Sequence, residues 1–333
     1  MQRSSTVRPS AESGRKGRPA GSGLSGDRIR KKLLGTKDRN GWIKLAAIYG
    51  LMICIGFIYV YPILYMISAS FMTLDDLLDS SIQWIPSGLN LSNYRQAGLS
   101  MNYWNSLVQS FLIAGLPTLC TLVSCALTGY GLARYKFRGR GVIIGLIILT
   151  FVLPRQITMI PTYNMYANVG ILNSVWAFVV PALAAQGLNA PIFIMIFWQF
   201  FRTVPQALVE AARIDGAGHF KSFFSIALPS AAPAFITVAL FSFVWYWNEF
   251  YLTQLYVHGV LVESSLTTLV VQLQNFNTNY SSYAQTAAGG ATNLNESIKM
   301  AGTLITVLPL MILYFVLQRH FVESIDRTGI TGE

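Results

Sequence analysis

Long apolar runs, interrupted by short polar segments, set the pattern of this chain. Runs with at most one charge occupy residues 45–74, 96–133, 141–160, 171–201, 233–255 and 300–318. A helix needs about 20 apolar residues to cross a bilayer, so each run predicts one span. The second span is expected near 105–131, and the third from Gly141 to near Ile160, with Arg155 close to its outer end. The fourth run carries Pro181, Gly187 and Pro191, which can break it into two pieces, and is read as one kinked crossing.

The segment 202–232 has a different period. Apolar residues at 204, 207, 208, 211 and 212 follow the stripe of an amphipathic helix. Thr203 and Gln206 have capping-box spacing, and Pro205 suits a first turn. Gly216 stands where a helix C-cap with positive φ is expected. A second helix is predicted after Gly218, with Phe220, Phe223, Phe224, Ala227 and Leu228 as its stripe and Pro229 and Pro233 ending it. The pattern is two short helices joined at a Gly-Ala-Gly elbow. Either the pair lies flat on the membrane, or it docks into a soluble partner; its basic residues, Arg202, Arg213 and Lys221, are few for a membrane-surface helix.

Composition agrees with a membrane protein: 53% of the 333 residues are hydrophobic and 11% charged, against about 25% charged in soluble domains. The net charge of +10 is a property of the tail. Residues 1–44 hold 12 Lys/Arg and 3 Asp/Glu, whereas the remainder holds 12 and 11. That distribution argues against a nucleic-acid-binding surface. The tail is expected to be disordered, and its charge either sets topology or attracts anionic lipid. With the tail cytoplasmic, the inner segments 1–44, 132–140, 202–232 and 319–333 hold 21 Lys/Arg, and the outer segments hold Arg95, Arg155 and Lys299. This asymmetry places both termini inside. The outer segment 73–102 carries Asp75, Asp76 and Asp79 and a turn-rich stretch, and 257–298 reads as a long polar loop. A cleaved signal peptide is disfavoured because the first run is too long. Cys54, Cys120 and Cys125 lie in apolar runs, without disulfide or zinc spacing, and read as small buried hydrophobes.

Glu210, Ala211, Ala212, Gly216, Ile226, Leu228 and Pro229 reproduce a spaced signature: E-A-A, three residues, Gly, nine residues, Ile, one residue, Leu-Pro. By this signature the chain resembles the permeases of binding-protein-dependent ABC importers. WIPSGLNLSNY, MIPTY, WNEF and QRHFVES make it similar to the carbohydrate branch, and within it to the smaller maltose-type subunit. The likeness covers about residues 45–333. Ser324 stands where that family usually has Gly, and the polar stretch near 281–297 is longer than usual. The resemblance implies an all-α integral membrane protein with six transmembrane helices and a cytoplasmic two-helix coupling insert between spans four and five. The domains are then a tail, 1–44; a permease domain, 45–318, with the insert at 202–232; and a C-terminal tail, 319–333. ATPase coupling is implied for Glu210, Ala211, Ala212, Asp215, Gly216 and Gly218. The implied partners are a homologous second permease, two ATPase subunits, an extracytoplasmic solute-binding protein and membrane lipid. No cofactor is expected on this chain; ATP and magnesium belong to the partner ATPase. The chain has no phosphate loop of its own and no nucleophile motif. The implied location is a bacterial plasma membrane.

For the substrate pathway the candidates are Trp245, Asn248 and Glu249, in span five. Glu249 and Arg155 are the ionisable residues within apolar runs, and such residues are functional candidates. Continuous helix would place Trp245, Asn248 and Leu252 on one face, and Ser242, Tyr246, Glu249 and Thr253 on the next. Trp247 and Tyr251 read as an interfacial aromatic belt. A proton- or ion-coupled secondary transporter is the alternative class, but it would place several ionisable groups at mid-membrane and would not need a docking insert. A membrane scaffold without transport fits neither WNEF nor the E-A-A signature.

Overall fold

The computed structural model describes residues 35–36, 39–214, 216–257, 266–287 and 294–330. It divides into two units, residues 1–64 and 65–333. In the first, Gly35–Thr36 pairs antiparallel with Arg39–Asn40. Helix α1 (Trp42–Ser70) follows and runs across the unit boundary. Its apolar residues, Ile53, Ile58 and Tyr59 among them, are exposed around the helix, as suits a span facing lipid. Cys54 is exposed there, which corrects its reading as buried; Cys125 is buried. The disorder expected for residues 1–34 lies outside the described residues.

The second unit begins with two short helices, α2 (Leu74–Leu78) and α3 (Ser92–Ser100). The first of these carries a capping box: the Asp76 N–H donates to Thr73 Oγ1 at 3.1 Å, and the Thr73 N–H to Asp76 Oδ2 at 3.0 Å. Hydrogen bonds from Ser87 and Thr73 hold the Asp76 carboxyl below the usual carboxylate range.

Helix α4 (Tyr103–Arg134) is the central element. It packs against α7 (Trp176–Leu183), α8 (Ala190–Thr203) and α11 (Ala232–Asn248). Its buried face is small and hydroxyl-rich, with Ala114, Thr118, Thr121, Cys125 and Ala126. Between membrane helices there is no hydrophobic driving force, so close backbone approach and interhelical hydrogen bonds supply the association. Ser124 Oγ donates to the Ala182 carbonyl at 2.6 Å, and Thr118 Oγ1 to Ser242 Oγ at 3.2 Å. At Gly129 a Cβ would lie 2.7 Å from Phe197 Cβ and 2.9 Å from the Trp198 backbone nitrogen.

Several predicted spans prove to be broken. The third is two helices, α5 (Arg140–Val152) and α6 (Arg155–Val169), meeting at 98° across Leu153 and Pro154. It continues past Ile160, because Pro161 is carried within the helix instead of ending it. The fourth run is α7 and α8, separated by residues 184–189. In the fifth, α11 stops at Asn248 and a short α12 (Tyr251–Tyr256) follows. Helix α15 (Glu296–Ile330) is longer than the sixth predicted span at both ends. Among the described residues, three helices, α1, α4 and Glu296–Arg319 of α15, are each long and apolar enough to cross a membrane, and two bent helix pairs raise the number to five if each pair is one span.

The segment 257–298, expected to be an outer loop, contains two helices among its described residues. Helices α13 (Leu269–Gln274) and α14 (Phe276–Ala287) bury Leu269, Val271, Phe276 and Tyr280. Ser110 Oγ accepts the Leu269 N–H at 2.8 Å, and Gln109 Oε1 accepts the Thr267 N–H. The surrounding Asn, Ser and Thr residues mask these few apolar anchors in the sequence.

Gly129→Leu forces α4 and α8 apart along their closest contact. The variant is expected to disappear from membranes, as read by quantitative immunoblot, whereas Gly131→Leu, with open space around its Cβ position, accumulates normally.

Candidate functional site

The segment between α8 and α11 forms a helical pair. Helix α9 (Gln206–Ile214) is followed by Gly216 at φ +78° and then by α10 (His219–Ser230). The elbow lies where the sequence placed it. Gly216 adopts the left-handed backbone that side chains resist, and Gly218 is the extended N-cap of α10. Asp215 lies outside the described residues.

Three expectations for this segment are corrected. No capping box forms at Thr203: its Oγ1 donates to Phe200 O at 2.7 Å, inside α8, while Gln206 Nε2 donates to Glu210 Oε1 at 2.8 Å. Pro229 does not end α10. A π turn over Phe223–Ala227, with the Leu228 N–H donating to Phe223 O, precedes it, and the helix runs on to Ser230. The Phe stripe is split, with Phe223 and Ala227 buried and Phe220 and Phe224 exposed. Leu208 and Ile214 are exposed too, so the pair presents an apolar surface away from the rest of the chain. Glu210, Ala211, Gly216 and Gly218 lie exposed on this segment, and Ala212 is within α9.

The pair is rooted on the end of α4. Arg134 Nη2 donates to Val204 O at 2.8 Å, at the entry to α9. The Tyr135 hydroxyl and His219 Nδ1 are hydrogen-bonded at 2.9 Å. The Tyr130 ring meets Phe201 and Phe223 edge-on at 5.3 and 5.0 Å. One helix end thus holds both the start of the pair and its second helix.

A second site lies where three helix breaks meet. Residues beside Pro154, residues 186–188, and Tyr246 and Leu252 on either side of the Glu249 break line one cavity of about 180 Å³. Arg155 Nη2 donates to Asn189 Oδ1 at 2.7 Å, and Asn189 is left-handed at φ 54°. The Leu188 N–H donates to the Tyr246 hydroxyl at 2.9 Å. Bonds of this kind satisfy groups that interrupted helices leave free, as irregular backbone in a membrane protein requires.

The structure does not gather Trp245, Asn248 and Glu249 into one surface. Trp245 is half-buried against Phe193 (5.2 Å) and Phe241 (5.9 Å). Asn248 is exposed, and its Nδ2 donates to Val244 O at 2.9 Å. Glu249 Oε1 accepts the Leu252 N–H at 3.0 Å, beside the start of α12. The faces drawn through continuous helix fail because the helix stops at Asn248. Trp247 is buried against Phe111 and Phe243, contrary to an interfacial position, while Tyr251 is exposed as the belt reading expects. Sequence reasoning placed Tyr246 on the Glu249 face but missed Thr158, Thr162, Gln186 and Tyr256 as lining residues. The pointers to them were Arg155 and the breakers Pro154, Gly187 and Pro191.

Long apolar helices, two bent helix pairs and an exposed apolar helical pair describe a multi-pass membrane protein. Residues 126–327 match the family described as binding-protein-dependent transport system inner membrane component, and the chain belongs to that family. It is similar to the polygalacturonan/rhamnogalacturonan transport system permease protein YtcP of Bacillus subtilis, with 29% identity over 86% of this chain and 97% of the relative. It is 31% identical to the arabinooligosaccharides transport system permease protein AraQ of Halalkalibacterium halodurans, over 84% of this chain and 93% of that one. The fold matches a chain of a bacterial ABC transporter involved in the import of the acidic polysaccharide alginate. That match has a TM-score of 0.69 and 22% identity, and covers 84% of this chain and 98% of the other. These findings support the importer class and give no support to a secondary transporter.

Glu249→Gln keeps the oxygen that accepts the Leu252 N–H, and Glu249→Ala removes it. Thermal unfolding in detergent is expected to show little change for Gln and a loss of about 1 kcal/mol for Ala. Equal losses for both would assign the stabilisation to the charge.

Proposed function

We propose that this chain is one of two homologous permease subunits of an ATP-driven oligosaccharide importer in a bacterial cell membrane. The observation that carries the reading is the helical pair from Gln206 to Ser230, rooted on α4 yet turning Leu208, Ile214, Phe220 and Phe224 outward. Family membership and the carbohydrate permeases among its relatives support it. In this reading α1, α4, α5 with α6, α7 with α8, α11 and α15 make six crossings, both termini are cytoplasmic, and the pair is the cytoplasmic insert that seats in an ATPase subunit. ATP and magnesium act on that subunit, and a solute-binding protein delivers substrate from outside.

Glu210, Ala211, Ala212, Asp215, Gly216 and Gly218 form the docking surface and its elbow. Closure of two ATPase subunits draws the inserts together. Arg134, Tyr130 and Tyr135 pass that displacement to α4, the helix against which the broken spans pack. Trp245, Asn248, Glu249 and the cavity beside Arg155 lie on the substrate pathway.

Purified alone, the chain is expected to hydrolyse no ATP; steady hydrolysis by the isolated polypeptide would overturn the reading. Gly216→Val gives the sharper test. A Cβ there meets open space, so the substitution strains only the elbow, by about 1–2 kcal/mol. The variant is expected to reach the membrane and pair with the second permease but lose the ATPase in pull-down. Full ATPase retention with full substrate-stimulated hydrolysis would show that the pair does not couple the subunits.

A further inference from the structure

The cavity at the three breaks has a positive charge, Arg155, whose one hydrogen bond to Asn189 uses a small part of its donor capacity. Arg155 is the first residue of α6, in a segment otherwise free of charge from Gly141 to Arg202. Its guanidinium gives one hydrogen bond to Asn189, a neutral amide, at 2.7 Å. Glu249 is near enough to act on it electrostatically, yet a Glu249 carboxylate oxygen already accepts the Leu252 N–H at 3.0 Å. Guanidinium has five N–H donors in a planar fork, so one amide oxygen leaves most of its capacity unused. Retaining such a group inside a membrane is costly, and ionisable residues there mark substrate pathways.

The surroundings fit a carbohydrate. Thr158, Thr162, Gln186, Tyr166 and Tyr256 give the cavity hydroxyls, an amide and aromatic rings, the groups that bind a sugar's hydroxyls and its apolar face. A volume of about 180 Å³ suits one sugar unit, not a chain. Helix α6 lines the cavity along one face, with Arg155, Thr158, Thr162 and Tyr166 on successive turns.

We infer that this cavity receives a carboxylate-bearing sugar unit, with Arg155 as its carboxylate partner, and that the substrates are acidic, uronate-containing oligosaccharides. The inference rests on the importer reading and specifies its substrate class. Arg155 would hold the carboxylate through the free edge of its guanidinium while Asn189 keeps the other edge in place. Arg, with its rigid fork, matches a planar carboxylate better than Lys does.

The test uses the complete importer in proteoliposomes. Uptake of tri-galacturonate is compared with uptake of its carboxyl-reduced, neutral counterpart. The intact complex is expected to carry the acidic sugar about tenfold faster, the ratio of a single charge-assisted contact. Arg155→Gln is expected to lose about tenfold more in acidic uptake than in neutral uptake, and Arg155→Lys is expected to fall between. Asn189→Ala leaves the charge in place and is expected to retain the preference. Faster uptake of the neutral sugar by the intact complex would overturn the inference. So would an equal loss of both sugars in Arg155→Gln and Asn189→Ala, which would make the pair a brace for the broken helices. Absence of ATP-driven uptake for either sugar would instead count against the oligosaccharide importer itself.

Discussion

A backbone polar group at membrane depth has no water to bond with, and the organisation of this molecule follows from that constraint. Three of its predicted spans break, at Pro154, at residues 184–189 and at Glu249, and at each break a side chain takes the place of a helical hydrogen bond or pins the turn. Tyr246 accepts from the Leu188 N–H, Arg155 holds Asn189, and Glu249 accepts from the Leu252 N–H. Two of these bonds, Tyr246 to Leu188 and Arg155 to Asn189, join different predicted spans, so those breaks stabilise one another and line a part-polar cavity. Removing one partner from such a set exposes a buried donor or acceptor, a larger effect than the loss of an isolated contact.

The central helix makes this arrangement possible. The small and hydroxyl-bearing face of α4 lets α7, α8 and α11 approach closely enough for Ser124 to reach the Ala182 carbonyl and Thr118 to reach Ser242. The same helix ends in Tyr130, Arg134 and Tyr135, which grip the insert. One rigid element therefore touches both the cavity-forming spans and the surface proposed to meet the ATPase. That continuity is the physical basis for coupling in the proposed mechanism: a displacement at the insert has a packed route to the broken spans. Coupling through such an element requires two arrangements of it, and the hydroxyl seam provides bonds that can exchange as helices slide.

Much of this was legible in the sequence. Uninterrupted apolar runs located α1, α4 and α15, because lipid demands a minimum helix length whatever the tertiary contacts. The elbow was legible because Gly216 takes a backbone that few other residues tolerate. Local signals failed where tertiary partners competed for them. Thr203 had the spacing of a cap, but its hydroxyl bonds back into α8. Helical faces projected through Glu249 were misplaced because the chain turns there, and Trp247 went into the core, not to an interface. The helices within 257–298 were hidden because a few buried residues, such as Leu269 and Tyr280, anchor an otherwise polar stretch. Arg155 was conspicuous as a charge, but its cavity became visible only once three distant segments were brought together.

The central claim is that ATP bound to a partner, and not an ion gradient, drives oligosaccharides through this chain. Uptake of a labelled oligosaccharide into proteoliposomes bearing the complete complex tests it most directly, with the solute-binding protein outside, ATP supplied to the ATPase side and ionophores present. The account predicts uptake that depends on ATP and is indifferent to the ionophores. Uptake that proceeds without ATP and stops when ion gradients are collapsed would contradict it.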